Sequence, residues 1–472
     1  MNENLRLRSL HVIGILMITF LLRPTPINRV ALNSIMAAKT AALSGRPEAA
    51  LVHLEKVLEY YPADVHFRLS AAKIAFITGE YTLALQHLSS IEGDSQVEME
   101  LLCIRAEALL GLRNQQKALE FWELADRQCP YFTQDLLPLI DELIEAGDLE
   151  EAETLLRLLS EVQFQEADVH FLLGMIVSTY APEKALVSLR SADDLSQNEN
   201  FFAQQLYRVI EDARAFDHPA FTLASVGQTF ASIGNWKFAS RAFRNAVTIQ
   251  PDYAEAYAYL GLSLDQLEEN GIIELLKAVE LDPDSAIPHL FLGMHWLDQI
   301  KVDMALIEFE RAASLDPKNP AILVQIGAAY EAKGEIQNAI RSYRTAAEID
   351  SQDPQFWLLL SQKSLQYEFE VSEIALPAAR NALALNSLHP PSLDALGYSY
   401  YLLGDMNFAE KFIQHAVELD PSLAVAQYHL GLLKFHQNET EAAIAALKRA
   451  QELDPDGGVG FLAQRSLDTL LP

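Results

Sequence analysis

Apolar and polar positions along this chain follow a helical period, and the whole pattern then starts again. In residues 286–317, AIPHLFLGMHWLDQIKVDMALIEFERAASLDP, the positions His289, Leu292, Gly293 and Trp296 fall on one face. Met304, Ala305, Phe309 and Ala312 fall on a second. Intervals of three, four and seven mark one side of an α-helix, so each copy predicts two amphipathic helices with those residues buried. The same order returns at 220–251 and 390–421. The turn between the helices often carries glycine (Gly45, Gly79, Gly147, Gly234, Gly334 and Gly404), the residue that most readily supplies a left-handed helix end. Leu-Asp-Pro at 281–283, 315–317, 419–421 and 453–455 predicts the stop of the second helix, because proline cannot continue one. A unit recurring about every 34 residues predicts a helical solenoid.

The pattern resembles the tetratricopeptide repeat. That family's small residue on the first helix matches Gly174, Gly227, Gly261, Gly293, Gly327, Gly397 and Gly431. Its first small residue on the second helix matches an alanine at 50, 84, 118, 152, 185, 239, 305, 339, 375, 409 and 443. Its later alanine matches 125, 192, 246, 278, 312, 346, 382, 416 and 450. At such sites two helix backbones approach closely, and a large side chain would wedge them apart. The resemblance implies an all-α fold, a right-handed α-solenoid (superhelix) of about twelve helix-turn-helix repeats, and the apolar start of the chain adds an expected N-terminal hydrophobic helix. The expected organisation is a hydrophobic segment at 1–30, a repeat array at 31–199 and a connecting helix at 200–219. A second array at 220–457 and a capping helix at 458–472 complete it. Three departures stand out. Pro138 sits inside a first helix, the repeat at 254–285 is short around Glu268–Gly271, and the repeat at 354–389 is long around Tyr367–Ser372.

The first residues break the pattern. Arg6 and Arg8 precede an uncharged apolar run, Ser9–Leu22, closed by Arg23 and Pro24. With no small-residue cleavage site after it, the run reads as a signal anchor tethering the chain to a membrane in a single pass. A cleaved signal and an amphipathic interfacial helix are the alternatives. The run is shorter than the roughly 20 residues that span a bilayer. Acidic residues outnumber basic ones, 65 to 35, for a formal charge of −30, which argues against nucleic-acid binding. The acidity serves solubility or a preference for basic partners. Cys103 and Cys129 are too few for a disulfide framework and read as small buried hydrophobes, with a single disulfide as the lesser alternative.

No phosphate loop, nucleophile elbow or zinc motif is present, so neither an enzyme nor a cofactor is expected. His429 and His436 lie seven apart on one helix, a spacing better read as packing or exposure than as metal ligation. The Asp282-Pro283-Asp284 and Asp454-Pro455-Asp456 turns read as caps. Trp122, Trp236, Trp296 and Trp357 read as core. The resemblance implies that first-helix residues line a partner groove. Carried over, these are Leu290, Met294 and Leu297, then Val324, Ala328 and Glu331, then Leu358, Gln362 and Leu365. Tyr398, Tyr401 and Leu402, then Tyr428, Leu432 and Phe435, complete the set. The family's Lys/Arg/Asn clamp for acidic tails is absent, and its asparagine ladder is replaced by Phe291, Gln325, Leu359, Ala395 and His429. The expected function is a non-enzymatic protein-interaction scaffold, membrane-tethered through residues 9–22. Its partners would be peptide or helical segments, basic overall with apolar anchors, and the same side chains partly serve packing between repeats. The alternatives are a soluble or exported chaperone-like adaptor and, more remotely, an enzyme-associated repeat module.

Overall fold

A computed structural model describes residues 29–91, 98–125, 129, 132–162 and 166–470. Over these residues the chain forms 26 α-helices and no strand. Five helix pairs, from Arg29–Leu43 with Pro47–Tyr60 to Ala167–Ser178 with Pro182–Leu195, precede a single helix, Phe201–Arg214. Seven more pairs follow, from Pro219–Ser232 with Trp236–Ile249 to Ala424–His436 with Thr440–Leu453, and Gly458–Leu470 closes the chain. The chain divides into two compact units, Met1–Arg208 and Val209–Pro472. Helices pack chiefly on their neighbours in sequence, so the core is a succession of local clusters, as a solenoid requires.

The packing rests on one register. All of the paired-helix alanines matched above are fully buried; Ala305 and Ala312, for example, are 0 % exposed. Opposite Gly174, Gly227, Gly293, Gly327, Gly397 and Gly431 lie Leu189, Phe243, Phe309, Tyr343, Ile413 and Leu447, each four residues past the first small residue of its second helix. A Cβ on Gly293 would stand 2.5 Å from the Phe309 ring, so the glycine makes room for a large side chain on the partner helix. Of the faces expected to be buried, Met304 departs: it is 44 % exposed, because Ala305 one position on takes the inward direction. Trp122 is fully buried, whereas Trp236, Trp296 and Trp357 are only half-buried, and Lys301 sits over the Trp296 ring at 4.5 Å.

Each of the six turn glycines has positive φ, from +69° at Gly45 to +90° at Gly147. In five of the six pairs that lack glycine the same register is still left-handed, at Arg113, Glu268, Ile300, Glu368 and Asn438; only the turn between Ala167–Ser178 and Pro182–Leu195 has no left-handed residue. In eleven of the twelve pairs the left-handed turn is thus kept whether or not glycine occupies it. Irregular repeats find local solutions. The helix Phe132–Ala146 runs through Pro138. The short repeat brings Gly271 against Gly261 with backbones touching. In the long one, a second left-handed residue, Glu370, leads into a π-turn at Val371–Ala375 that takes up the extra residues before Leu376–Leu385. At the C-terminal end Ala463 and Leu467 cover Leu447 and Ala450, while Asp454 accepts hydrogen bonds from the Val459 and Gly460 amides at 2.9 and 3.2 Å.

Two expectations are corrected here. Cys103 and Cys129 form a disulfide with a Cα–Cα distance of 5.2 Å; both are buried, so apolar surroundings and covalent pairing coexist. Single-pass membrane anchoring does not stand. Among the described residues no helix is long and apolar enough to cross a membrane. The run 9–22 lies outside them, and its 14 residues fall short of the hydrocarbon thickness.

Candidate functional site

Successive first helices touch one another in the second unit. Pro219–Ser232 meets Ala254–Gln266, then Ala286–Asp298, then Pro320–Ala332; Pro354–Gln366 meets Pro390–Leu402 and then Ala424–His436. Residues at a fixed register on these helices therefore share a face.

The sequence-derived set divides by burial. Leu290, Met294 and Leu297 are half-buried and rest on the cluster around Leu306 and Phe309. Val324 is half-buried against the Tyr343 and Leu360 cluster. Leu358 and Leu365 are buried among Ala375, Ala379 and Leu396, so they offer a partner little surface. Gln362 is exposed, and Phe435 is 49 % exposed. Tyr398, Tyr401, Tyr428 and Leu432 are half-buried. Tyr398 stacks on Tyr401 with ring centroids 5.7 Å apart and lies parallel to His429 at 3.7 Å. Tyr428 tilts against His429, and Tyr401 meets the edge of His436. Burial, then the neighbouring Tyr428 and Glu368, push the Tyr398 phenol up to about 12, which leaves it a neutral hydrogen-bonding group.

Beneath this patch is a buried pair missed by motif reading. His429 Nδ1 donates to the Asp394 carboxylate at 2.9 and 3.0 Å, linking consecutive first helices. A second pair follows the same logic, His295 Nδ1 to Asp265 at 2.8 Å. The signal in the sequence was a carboxylate and a histidine about one repeat apart, 35 and 30 residues, visible only once the repeats are aligned. His429 is thus a packing residue and His436 an exposed one. Among the described residues no group of three His, Cys, Asp or Glu is arranged to hold a metal ion.

Glu331 is tied down. It accepts from Tyr343 Oη at 2.6 Å, Tyr367 Oη at 2.7 Å and Lys363 Nζ at 2.9 Å. Burial alone would raise its pKa, but those three donors outweigh it and hold the carboxyl below its ordinary value. A depressed carboxyl contributes stability above its unfolded pKa of about 4.3 and loses it as pH falls through the lower folded value. Glu331→Gln is therefore expected to cost about 1–3 kcal/mol at pH 7. In urea titrations the gap from the unaltered protein should close at pH values below about 4; a gap independent of pH would contradict the assignment. Lys434 is engaged in the same way, donating to Glu410 at 2.6 Å and to Glu439 at 3.3 Å.

Fold and face together define an α-solenoid of helix-turn-helix repeats whose successive first helices present a shared apolar and aromatic surface. Profiles of the tetratricopeptide repeat match residues 35–98, 320–353, 390–423 and 424–456, so these stretches are tetratricopeptide repeats. Among solved structures it is similar to YrrB, a tetratricopeptide-repeat protein with an unusual peptide-binding site. The identity is 21 %, over 40 % of this chain and 97 % of that one, with a TM-score of 0.32. It is also similar to yeast Tom70, at 16 % identity over 93 % of this chain and 95 % of that one, with a TM-score of 0.39. The Cut9–Hcn1 hetero-tetramer of the APC/C gives 18 % identity over 94 % and 90 %, with a TM-score of 0.38. No curated protein matches the chain.

Proposed function

We propose that this protein is a non-enzymatic interaction scaffold that holds segments of other proteins along the first-helix face of its second unit. The observation that carries this reading is the patch of Tyr398, Tyr401, Tyr428, Leu432 and Phe435. These are large apolar and aromatic groups, half-buried or exposed on two adjacent first helices, where Leu393, Leu396 and Ala426 already serve the core. Aromatic side chains of this kind dominate protein contacts, because they bury much area at small entropic cost.

Charge supports a partner segment that is basic around its apolar anchors. The chain carries a formal charge of −30, and two cations of this stretch, Lys363 and Lys434, are already bound to Glu331 and Glu410. Such a surface attracts positive segments and repels acidic ones.

The test is selection of peptides from a random 12-residue display library on the full chain and on the triple variant Tyr398→Ser, Tyr401→Ser, Tyr428→Ser. Circular dichroism serves as a check that the variant is folded. Peptides enriched in Lys or Arg beside Leu, Ile or an aromatic residue are expected, with enrichment lost on the variant. Enrichment unchanged by the triple substitution would remove this face from the mechanism. Enrichment that depends on the tyrosines but favours neutral or acidic peptides would overturn the charge argument alone.

A further inference from the structure

Aligned on their buried alanines, the second helices share an outer register. Five residues before the later alanine lies a position held by Arg241, Arg341 and Lys411 in three repeats of the second unit. In the two adjacent repeats at 254–285 and 286–319 it is isoleucine, and Ile273 and Ile307 are 73 % and 64 % exposed. They have company. Leu276, one turn past Ile273, is also exposed, as are Met304 and Ile300, one and two turns before Ile307. The second helices on either side, Trp236–Ile249 and Ile336–Ile349, expose one large apolar residue each, at their last position. In the first unit the register is apolar only at Val52 and Val187, in repeats that are not neighbours. Isoleucine on a solvent-facing helix is a poorer helix former than Arg or Lys and leaves apolar area in water. Single exposed apolar residues are ordinary, but five gathered on two consecutive second helices and the turn before one of them form a patch that association would cover.

We propose that a second copy of this chain docks on the patch, giving a symmetric dimer through the second helices Ile272–Leu281 and Val302–Leu315. The charges around the patch favour that occupant. Lys277 and Arg311, each four residues past its isoleucine, pair with Glu280 and Asp284 at 2.9 Å, yet both cations stay at least 40 % exposed. Glu274 and Glu310, on the same two helices, form no ion pair among the described residues. A surface that carries both signs around an apolar centre is complementary to itself: Glu274 and Glu310 of one copy can meet Lys277 and Arg311 of the other. A uniformly basic or uniformly acidic segment would instead meet like charge on part of the rim. Second helices build this patch, so it is separate from the tyrosines of the first-helix face.

Sedimentation velocity of the full chain between about 1 and about 100 μM is expected to show a monomer–dimer equilibrium. The double variant Ile273→Arg, Ile307→Arg installs the side chain that Arg241 and Arg341 already carry at this register, so the fold, checked by circular dichroism, should hold. It also makes the chain less negative, so a loss of association would not come from added repulsion between copies. The dimer is expected to weaken by about 30-fold or more, as for removal of central interface contacts. A second variant separates association from stability. Ile300 is left-handed, with φ +58°, a conformation asparagine tolerates far better than isoleucine, so Ile300→Asn should stabilise the monomer while weakening the dimer. Val187→Arg, at the same register in the first unit and 74 % exposed, should leave association unchanged. A chain that stays monomeric over this range, its patch then serving a different partner, would overturn the proposal. So would a dimer that the double substitution and Ile300→Asn leave intact, or one that Val187→Arg weakens equally.

Discussion

Phe309→Ala is expected to destabilise the second unit by about 3–5 kcal/mol, the range for deleting a fully enclosed aromatic ring. The ring is 0 % exposed and fills the space that Gly293 leaves open. It also packs within a cluster that includes Ala305, Leu306 and Ala312 of its own repeat and Ile322, Ile326 and Ala329 of the next. Relaxation is limited, because Gly293 has no side chain to swing into the void. In a solenoid each repeat is stabilised mainly by its neighbours, so the loss should be local. Hydrogen exchange in Ala286–Asp298 and Pro320–Ala332 should quicken strongly, while Ala424–His436 changes little. A loss below about 1 kcal/mol in urea denaturation, or an effect spread evenly over the unit, would contradict the picture of a core made of nearest-neighbour clusters.

Gly271→Ala should be a costly addition of a single methyl group, about 3 kcal/mol, at the upper end for overpacking. Conformation is not the obstacle: φ at Gly271 is −83°, which alanine adopts freely. Space is. A Cβ there would lie 2.1 Å from the Gly261 carbonyl oxygen and 2.9 Å from Gly261 Cα, and backbone cannot step aside as a flexible side chain can. Gly458→Ala is the control: a Cβ at Gly458 meets nothing within 4 Å, and at this helix start alanine should be neutral or slightly stabilising. Midpoints of chemical denaturation for the two variants compare them directly. Equal midpoints would mean that the short repeat does not press these two backbones together.

Much of the architecture was legible before any coordinates, because a solenoid writes its packing into a local register. Ala305, Phe309 and Ala312 could be assigned to the core from spacing, and the six turn glycines could be given a left-handed conformation from position. Both readings hold because contacts in this fold reach mainly to the adjoining helix. Met304 could not be separated from Ala305 in the same way, since neighbours on a helix differ by about 100° and a face boundary is not sharp in sequence. Trp296 and Trp357 were misjudged for a related reason: a large aromatic ring satisfies an apolar face while leaving part of itself in solvent.

The candidate face was legible only as a list of positions. Spacing alone does not reveal that Leu358 is buried while Phe435 is half exposed, or that Glu331 is held by Tyr343, Lys363 and Tyr367. Each of those facts depends on a side chain from another helix. The same holds for the Asp394–His429 pair beneath the tyrosines and for Cys103–Cys129. The sequence by itself determined the repeating unit, its helices, its turns and the small residues at which helices meet, because these follow from periodicity and steric size. Only the tertiary structure decided which polar and sulfur groups meet between helices, and therefore which surface is left for a partner, because those meetings join residues some twelve to thirty-six positions apart.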